Sequence, residues 1–164
     1  MPIDPFHKHD HAGCIETSMR IAERVCADKG LQFTPVRRRV LEILLNEHKA
    51  LGAYDILAVL REEGLGMQPP IAYRALDFLV THGFAHRIER LNAFIACTHA
   101  GQSHAPAFLI CRACKRVDEA ETDPGAGELA RAADDADFEI EGTVREAVGL
   151  CPACRPLANA EARP

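Results

Sequence analysis

Pro69-Pro70-Ile71-Ala72-Tyr73-Arg74-Ala75-Leu76-Asp77-Phe78-Leu79-Val80-Thr81-His82-Gly83 is the stretch that decides how the first half of this chain folds. Proline suits the first helical position, where its missing N–H has no partner to lose. Glycine suits the residue just past a helix end. Between those marks the helix has two faces. Ala72, Leu76, Leu79 and Val80 form an apolar side at helical spacing. Pro70, Arg74, Asp77 and Thr81 lie opposite, with Tyr73 beside Arg74 near the N-terminal end.

Further helices precede it. One spans about residues 14–28, with Ile15, Met19, Ala22 and Cys26 as its buried stripe, which makes Cys26 a small core residue rather than a ligand. A second starts at Thr34-Pro35, an N-cap followed by proline, and runs to about Asn46 with Val36, Val40, Ile43 and Leu44 inward. A third covers 53–62 around Ile56, Leu57 and Leu60, and Gly64 and Gly66 break it. After Gly83, residues 84–88 and 93–97 read as strands joined at Arg90-Leu91-Asn92. Compact helices followed by a hairpin make a winged helix-turn-helix. In that motif the N-terminal residues of the second helix reach base edges in the major groove. Arg74 then suits guanine, because its planar fork matches O6 and N7, and Tyr73 suits a thymine methyl or a phosphate. The alternative leaves Arg74 solvated or paired with Asp77.

The second half is governed by Cys111-Arg-Ala-Cys114 and Cys151-Pro-Ala-Cys154. Two residues between thiols let a tight turn aim both sulfurs at one point, and two such turns form a tetrahedral thiolate cage suited to zinc. The 36 intervening residues exceed ordinary zinc-ribbon spacing, so the metal would close a whole module. Four protein ligands leave no open position, which makes the site structural. Two redox dithiols, or buried free cysteines, are the competing reading. Around these turns, 107–111 and 116–119 read as short strands and Asp123-Pro124 opens a helix to about Ala133, anchored by Leu129. A long strand over 138–150 puts Phe138, Ile140, Val144, Val148 and Leu150 on one face, a natural surface for a second copy. His86, Cys97, His104 and Glu119 form a second, scattered group with zinc-ligand chemistry, for which His99 and Asp118 are competitors.

Taken together, these motifs closely resemble the ferric uptake regulator family, and within it the zinc uptake regulators. The match runs from about residue 15 to 155. It includes Leu31-Gln32-Phe33-Thr34-Pro35-Val36-Arg37, Ala53-Tyr54-Asp55-Ile56-Leu57, the 69–79 stretch and both thiol pairs. The resemblance implies an α+β chain with an N-terminal winged-helix DNA-binding domain (14–97) and a connection (98–106). A small C-terminal α/β dimerisation domain stapled by zinc (107–155) follows, with a histidine-bearing tail at 1–13 and a short one at 156–164. It implies a zinc-dependent repressor, homodimeric and cytoplasmic, that binds AT-rich inverted repeats in double-stranded DNA and switches off zinc-acquisition genes. It also implies two Zn2+ per protomer, a structural one on Cys111, Cys114, Cys151 and Cys154 and a regulatory one on His86, Cys97, His104 and Glu119. Tyr73, Arg74, Asp77, Tyr54 and Arg37 are the candidate DNA contacts. An iron- or peroxide-sensing regulator of the same fold is the nearest alternative. Those proteins usually carry His-His-Asp-His before the first thiol pair, where this chain has Ser103-His104-Ala105-Pro106. Ile71-Ala72 also departs from the family's more usual Thr-Val, which removes a hydroxyl able to meet a phosphate.

Composition agrees with this reading. Hydrophobic residues make up 48% of the 164, yet Trp is absent and aromatics are only 5%, so the core is thin and a metal clamp is useful. Seven cysteines without a secretion signal suit intracellular metal chemistry. The net charge of −5 is uneven: residues 1–90 hold 12 basic and 12 acidic side chains, and the rest hold 7 and 12. A nucleic-acid footprint therefore belongs to the first half, where Arg37, Arg38 and Arg39 form a basic run. His7, His9 and His11 suggest a solvated tail with some capacity for metal. An enzyme is disfavoured: a zinc deaminase needs H-x-E and P-C-x-x-C, and neither occurs.

Overall fold

A computed structural model describes residues 11–156 except 48, 67, 103, 124–126 and 142. His7, His9, Ser103, Pro124 and the tail from 157 lie outside the described residues. The element order is α1 (His11–Asp28), α2 (Pro35–Asn46), α3 (Ala53–Glu62), α4 (Pro69–Thr81), β1 (Ala85–Ile88), β2 (Ala93–Ala96), β3 (Ala105–Cys111), β4 (Val117–Thr122), α5 (Glu128–Asp135) and β5 (Arg145–Gly149). The chain is therefore α+β, a helical half ending in a hairpin and a sheet half carrying one helix.

Caps set the helix limits. The Thr34 hydroxyl accepts the Arg37 N–H at 3.4 Å ahead of Pro35, which fixes where α2 begins. Gly83, at φ 74°, ends α4 in the left-handed region, and Phe84 N–H reaches back to Leu79 O at 2.8 Å. That turn points the chain straight into β1. Leu44, Ile56, Leu57, Leu60, Leu76 and Leu79 are fully buried where α2, α3 and α4 meet. Shortening one such side chain to alanine typically costs about 2–5 kcal/mol, so this cluster dominates the helical half. Cys26 sits in it at 2% exposure, as a core residue.

A second, smaller core joins the halves. Ile88 and Ile95 of the hairpin pack against Phe108, Ile110 and Val117 of the sheet. In that sheet β3 is central, antiparallel to β4 and parallel to β5. Two polar contacts cross the same seam. The backbone of Lys49 forms an isolated antiparallel bridge with that of Arg116, and the Glu146 carboxylate on β5 accepts the backbone N–H of Glu89 at 2.6 Å and of Arg90 at 3.1 Å. Glu146 thereby caps the short 3-10 turn, Glu89–Leu91, at the tip of the hairpin.

Several sequence expectations need correction. Helix α1 begins at His11, earlier than residue 14. Helix α5 begins at Glu128 after Gly127, not at Asp123-Pro124, and Leu129 is 53% exposed rather than an anchor. Strand β3 starts at Ala105, because Ala105 and Pro106 already pair with Thr122 and Glu121 of a longer β4. Val80 is exposed and Ala75 takes its place on the buried face, since α4 packs between α2 and α3 rather than on one neighbour. The long strand over 138–150 shrinks to Arg145–Gly149, the only part with β3 beside it. Upstream, Phe138 N–H bonds to Ala133 O at 2.9 Å, which folds that segment back onto the end of α5.

Candidate metal centres and nucleic-acid face

Parallel pairing of β3 and β5 brings the two thiol turns together. Its register sets Cys111 beside Gly149, so both CxxC turns leave the same end of the sheet. The four sulfurs of Cys111, Cys114, Cys151 and Cys154 lie within 4.8 Å of one another, with Cys114 and Cys151 at 3.8 Å. Tetrahedral zinc with bonds of about 2.3 Å to sulfur sets neighbouring sulfurs roughly 3.8 Å apart, so this donor set fits the ion. All seven cysteines are free thiols. Burial opposes ionisation of Cys111, but backbone N–H groups, including that of Cys151 at 3.4 Å, hold its pKa down to about 6. Hydrogen bonding with Cys151 and the neighbouring thiols pushes Cys154 up to about 12. Such a spread is what a shared set of thiols shows when only part of it ionises without a cation.

The second group is assembled from residues on or beside four strands. His86 lies on β1, Cys97 just beyond β2, His104 just before β3 and Glu119 on β4. Their donor atoms also lie within 4.8 Å of one another. His104 Nε2 is 3.3 Å from His86 Nε2, 3.4 Å from Cys97 Sγ and 2.8 Å from Glu119 Oε1. His86 Nε2 is 2.9 Å from the same oxygen, and Cys97 Sγ is 3.8 Å from it. Nitrogen, sulfur and carboxylate donors at roughly 3–4 Å suit a tetrahedral zinc.

Glu119 is the one buried charged residue among those described, at 5% exposure. A buried carboxylate is costly unless it is paired. Burial alone would raise its pKa, but hydrogen bonding to His86, the His86 charge and the Thr98 donors bring it to about 2. Burial and the Glu119 charge push the Cys97 thiol up to about 12. The competitors fare differently. His99 Nδ1 is engaged with Thr98 Oγ1 at 3.0 Å and stands 3.9 Å from Glu119 Oε1. Adjacent strand residues face opposite ways, so Asp118 is directed away from the face that Glu119 uses. Thr98 was not singled out in the sequence, and only its place beside Cys97 could have drawn attention to it.

On the helical half, Tyr73, Arg74 and Asp77 lie exposed along one side of α4, and Tyr54 of α3 is 67% exposed. No ion pair between Arg74 and Asp77 forms among the described residues. The basic run behaves otherwise. The Arg37 guanidinium lies 3.8 Å over the Phe78 ring and donates to Gln32 O. Arg38 pairs with Glu23, and Arg39 grips both oxygens of Glu63 at 2.7 Å. These arginines tie α2 to its neighbours, whereas Arg74 stands exposed on α4 with no ion pair to another described residue.

The family model of the ferric uptake regulator family matches residues 28–144. The chain belongs to that family. Within the ferric uptake regulator family it is similar to the zinc uptake regulation protein of Escherichia coli strain K12. The two are 38% identical over 135 residues, 81% of this chain and 78% of the relative. The zinc uptake regulation protein of Shigella flexneri shows the same identity and coverage. Among solved structures, a zinc uptake regulator complexed with zinc and DNA superposes with a TM-score of 0.78 at 34% identity, covering 93% of this chain and 99% of that one. A crystal structure of holo XcZur gives 0.75 at 37% identity, covering 84% and 96%. The chain thus has the fold of these regulators, an N-terminal winged-helix DNA-binding domain followed by a C-terminal dimerisation domain. Among the described residues, no helix is long and apolar enough to cross a membrane.

Proposed function

We propose that this protein is a zinc-responsive transcriptional repressor. Its zinc-loaded homodimer binds AT-rich inverted-repeat operators and represses zinc-uptake genes in the cytoplasm. The observation that carries this reading is the His86, Cys97, His104 and Glu119 cluster. Its four donor atoms gather within 4.8 Å although two come from the hairpin side and two from the sheet side. Similarity to zinc uptake regulators across both halves supports it.

We assign 14–97 to reading DNA, 98–106 to the connection and 107–155 to dimerisation. Two zinc ions per protomer follow from the two donor sets. Cys111, Cys114, Cys151 and Cys154 would hold one permanently and keep the sheet half folded. His86, Cys97, His104 and Glu119 would hold the other when the metal is plentiful. When bound there, zinc supplies a single charged centre toward which all four donors are drawn. His86 and Cys97 are carried by the hairpin, His104 by the connection where it enters β3 and Glu119 by the sheet, so fixing these donors sets the angle of the hairpin on the sheet. In a homodimer that angle determines the separation of the two α4 helices, hence their fit to paired half-sites. Arg74 and Tyr73 would meet base edges, Asp77 and Tyr54 would border them, and Arg37 would support the helix from behind Phe78. Moving a population from mostly open to mostly closed takes roughly 5 kcal/mol of differential binding, within reach of one thiolate, one carboxylate and two imidazoles.

The test is operator binding at buffered free zinc, iron and manganese. Zinc alone should drive tight binding at trace free concentrations. A response to iron or manganese at lower free metal would replace this reading with the iron- or peroxide-sensing one.

A further inference from the structure

The two oxygens of Glu119 are used unequally. Oε1 faces His86, His104 and Cys97. Oε2 is turned away and takes two hydrogen bonds from one residue, the Thr98 backbone N–H at 2.8 Å and the Thr98 hydroxyl at 2.8 Å. A hydroxyl has one proton, and that proton goes to Oε2. The Thr98 oxygen, 3.0 Å from His99 Nδ1, therefore accepts from the imidazole N–H. The result is a directed chain from His99 Nδ1–H to Thr98 Oγ1–H to Glu119 Oε2. The same loop sends the His99 backbone N–H to Cys97 Sγ at 3.3 Å.

We propose that Thr98 is a specificity-determining positioning residue, which saturates Oε2 so that Glu119 offers a cation only Oε1. This rests on the reading of the four-donor cluster as a zinc site. With Oε2 engaged the cluster presents four donors, and His99 Nδ1, hydrogen-bonded to Thr98 Oγ1 at 3.0 Å and 3.9 Å from Oε1, is turned to Thr98 rather than offered as a fifth. Zinc, a d10 ion, accepts a four-donor tetrahedral site without penalty. Manganese and ferrous ions favour more numerous oxygen and nitrogen ligands. Freeing Oε2 would let the carboxylate bind through both oxygens and raise the donor count, favouring those competitors. Partners that orient a metal ligand typically affect affinity by about 10–100-fold, so one hydroxyl is enough to set a preference.

The experiment uses full-length protein with its structural zinc in place and Co2+ as the probe at the second cluster. Four-coordinate cobalt has intense visible bands, and higher coordination has weak ones. Wild type and Thr98→Ser should give the intense bands with a thiolate charge-transfer feature. Thr98→Val, which keeps the shape and the backbone N–H but loses the hydroxyl, should lose much of that intensity. Its zinc-over-manganese affinity ratio should fall about 10-fold. Thr98→Ala provides the same comparison with a smaller side chain, and retention of the structural zinc in each variant certifies the fold. If a folded Val or Ala variant keeps the wild-type intensity and ratio, the proposal is overturned. A wild-type protein whose cobalt spectrum is unchanged by Cys97→Ser would instead overturn the zinc-site reading itself.

Discussion

Replacing Glu146 by alanine should weaken zinc-driven DNA binding from a position on β5, outside both donor sets and away from α4. Its carboxylate holds the backbone N–H of Glu89 at 2.6 Å and of Arg90 at 3.1 Å, across the seam between hairpin and sheet. Hydrogen bonds to a charged acceptor contribute about 1.5–3 kcal/mol each when shielded from water. This pair is exposed, so together they contribute about 1–2 kcal/mol. Removing that bias shifts the balance between docked and released hairpin by roughly 5–30-fold. In a fluorescence anisotropy titration of operator DNA at buffered zinc, the midpoint for Glu146→Ala should move to higher free zinc by up to that factor. Saturated binding and the content of structural zinc should stay unchanged. A midpoint within about twofold of wild type would refute the reasoning, because the contact would then do nothing to the hairpin angle.

Cys97→Ser should remain folded with its four-thiolate zinc yet lose zinc-dependent operator binding, read by metal analysis beside anisotropy. Cys111→Ser should lose the fold of the sheet half, measured by thermal melting, because a closed structural site contributes on the order of 10 kcal/mol. Arg74→Ala should cost about 1–3 kcal/mol in operator affinity and relax base preference locally, and a uniform loss across sequences would point to a phosphate contact instead. Zinc capture at the second cluster displaces the Cys97 proton, whose pKa burial and the Glu119 charge raise to about 12. The thiol is therefore protonated at working pH, and apparent affinity should weaken about tenfold for each unit that pH falls. A chelator competition at two pH values with no slope would exclude the thiol as a ligand.

What the sequence discloses differs between the halves. The start of α2 and the end of α4 are legible because single residues set them, Thr34 before Pro35 and Gly83 where the chain must turn left-handed, whereas the starts of α1 and α5 carry no such mark. The 138–150 strand was misread because alternation reports which side chains share a face, not whether a neighbouring strand exists to pair with. Only 145–149 has β3 alongside. The thiol cage was legible from spacing, since each turn is local. The second donor set could be named from its residue types, but choosing it over His99 and Asp118 took the family resemblance, because its members sit on or beside four separate strands. Thr98 and Glu146 escaped notice for the same reason: their partners are 21 and more than 50 residues away.

The division of one donor set between the hairpin and the sheet limits how such proteins can be recombined. A graft that exchanges only residues up to the connection keeps a metal response if the incoming hairpin brings imidazole and thiolate at the places of His86 and Cys97. Any other graft would inherit an address on the chromosome without the signal that tells it when to be there.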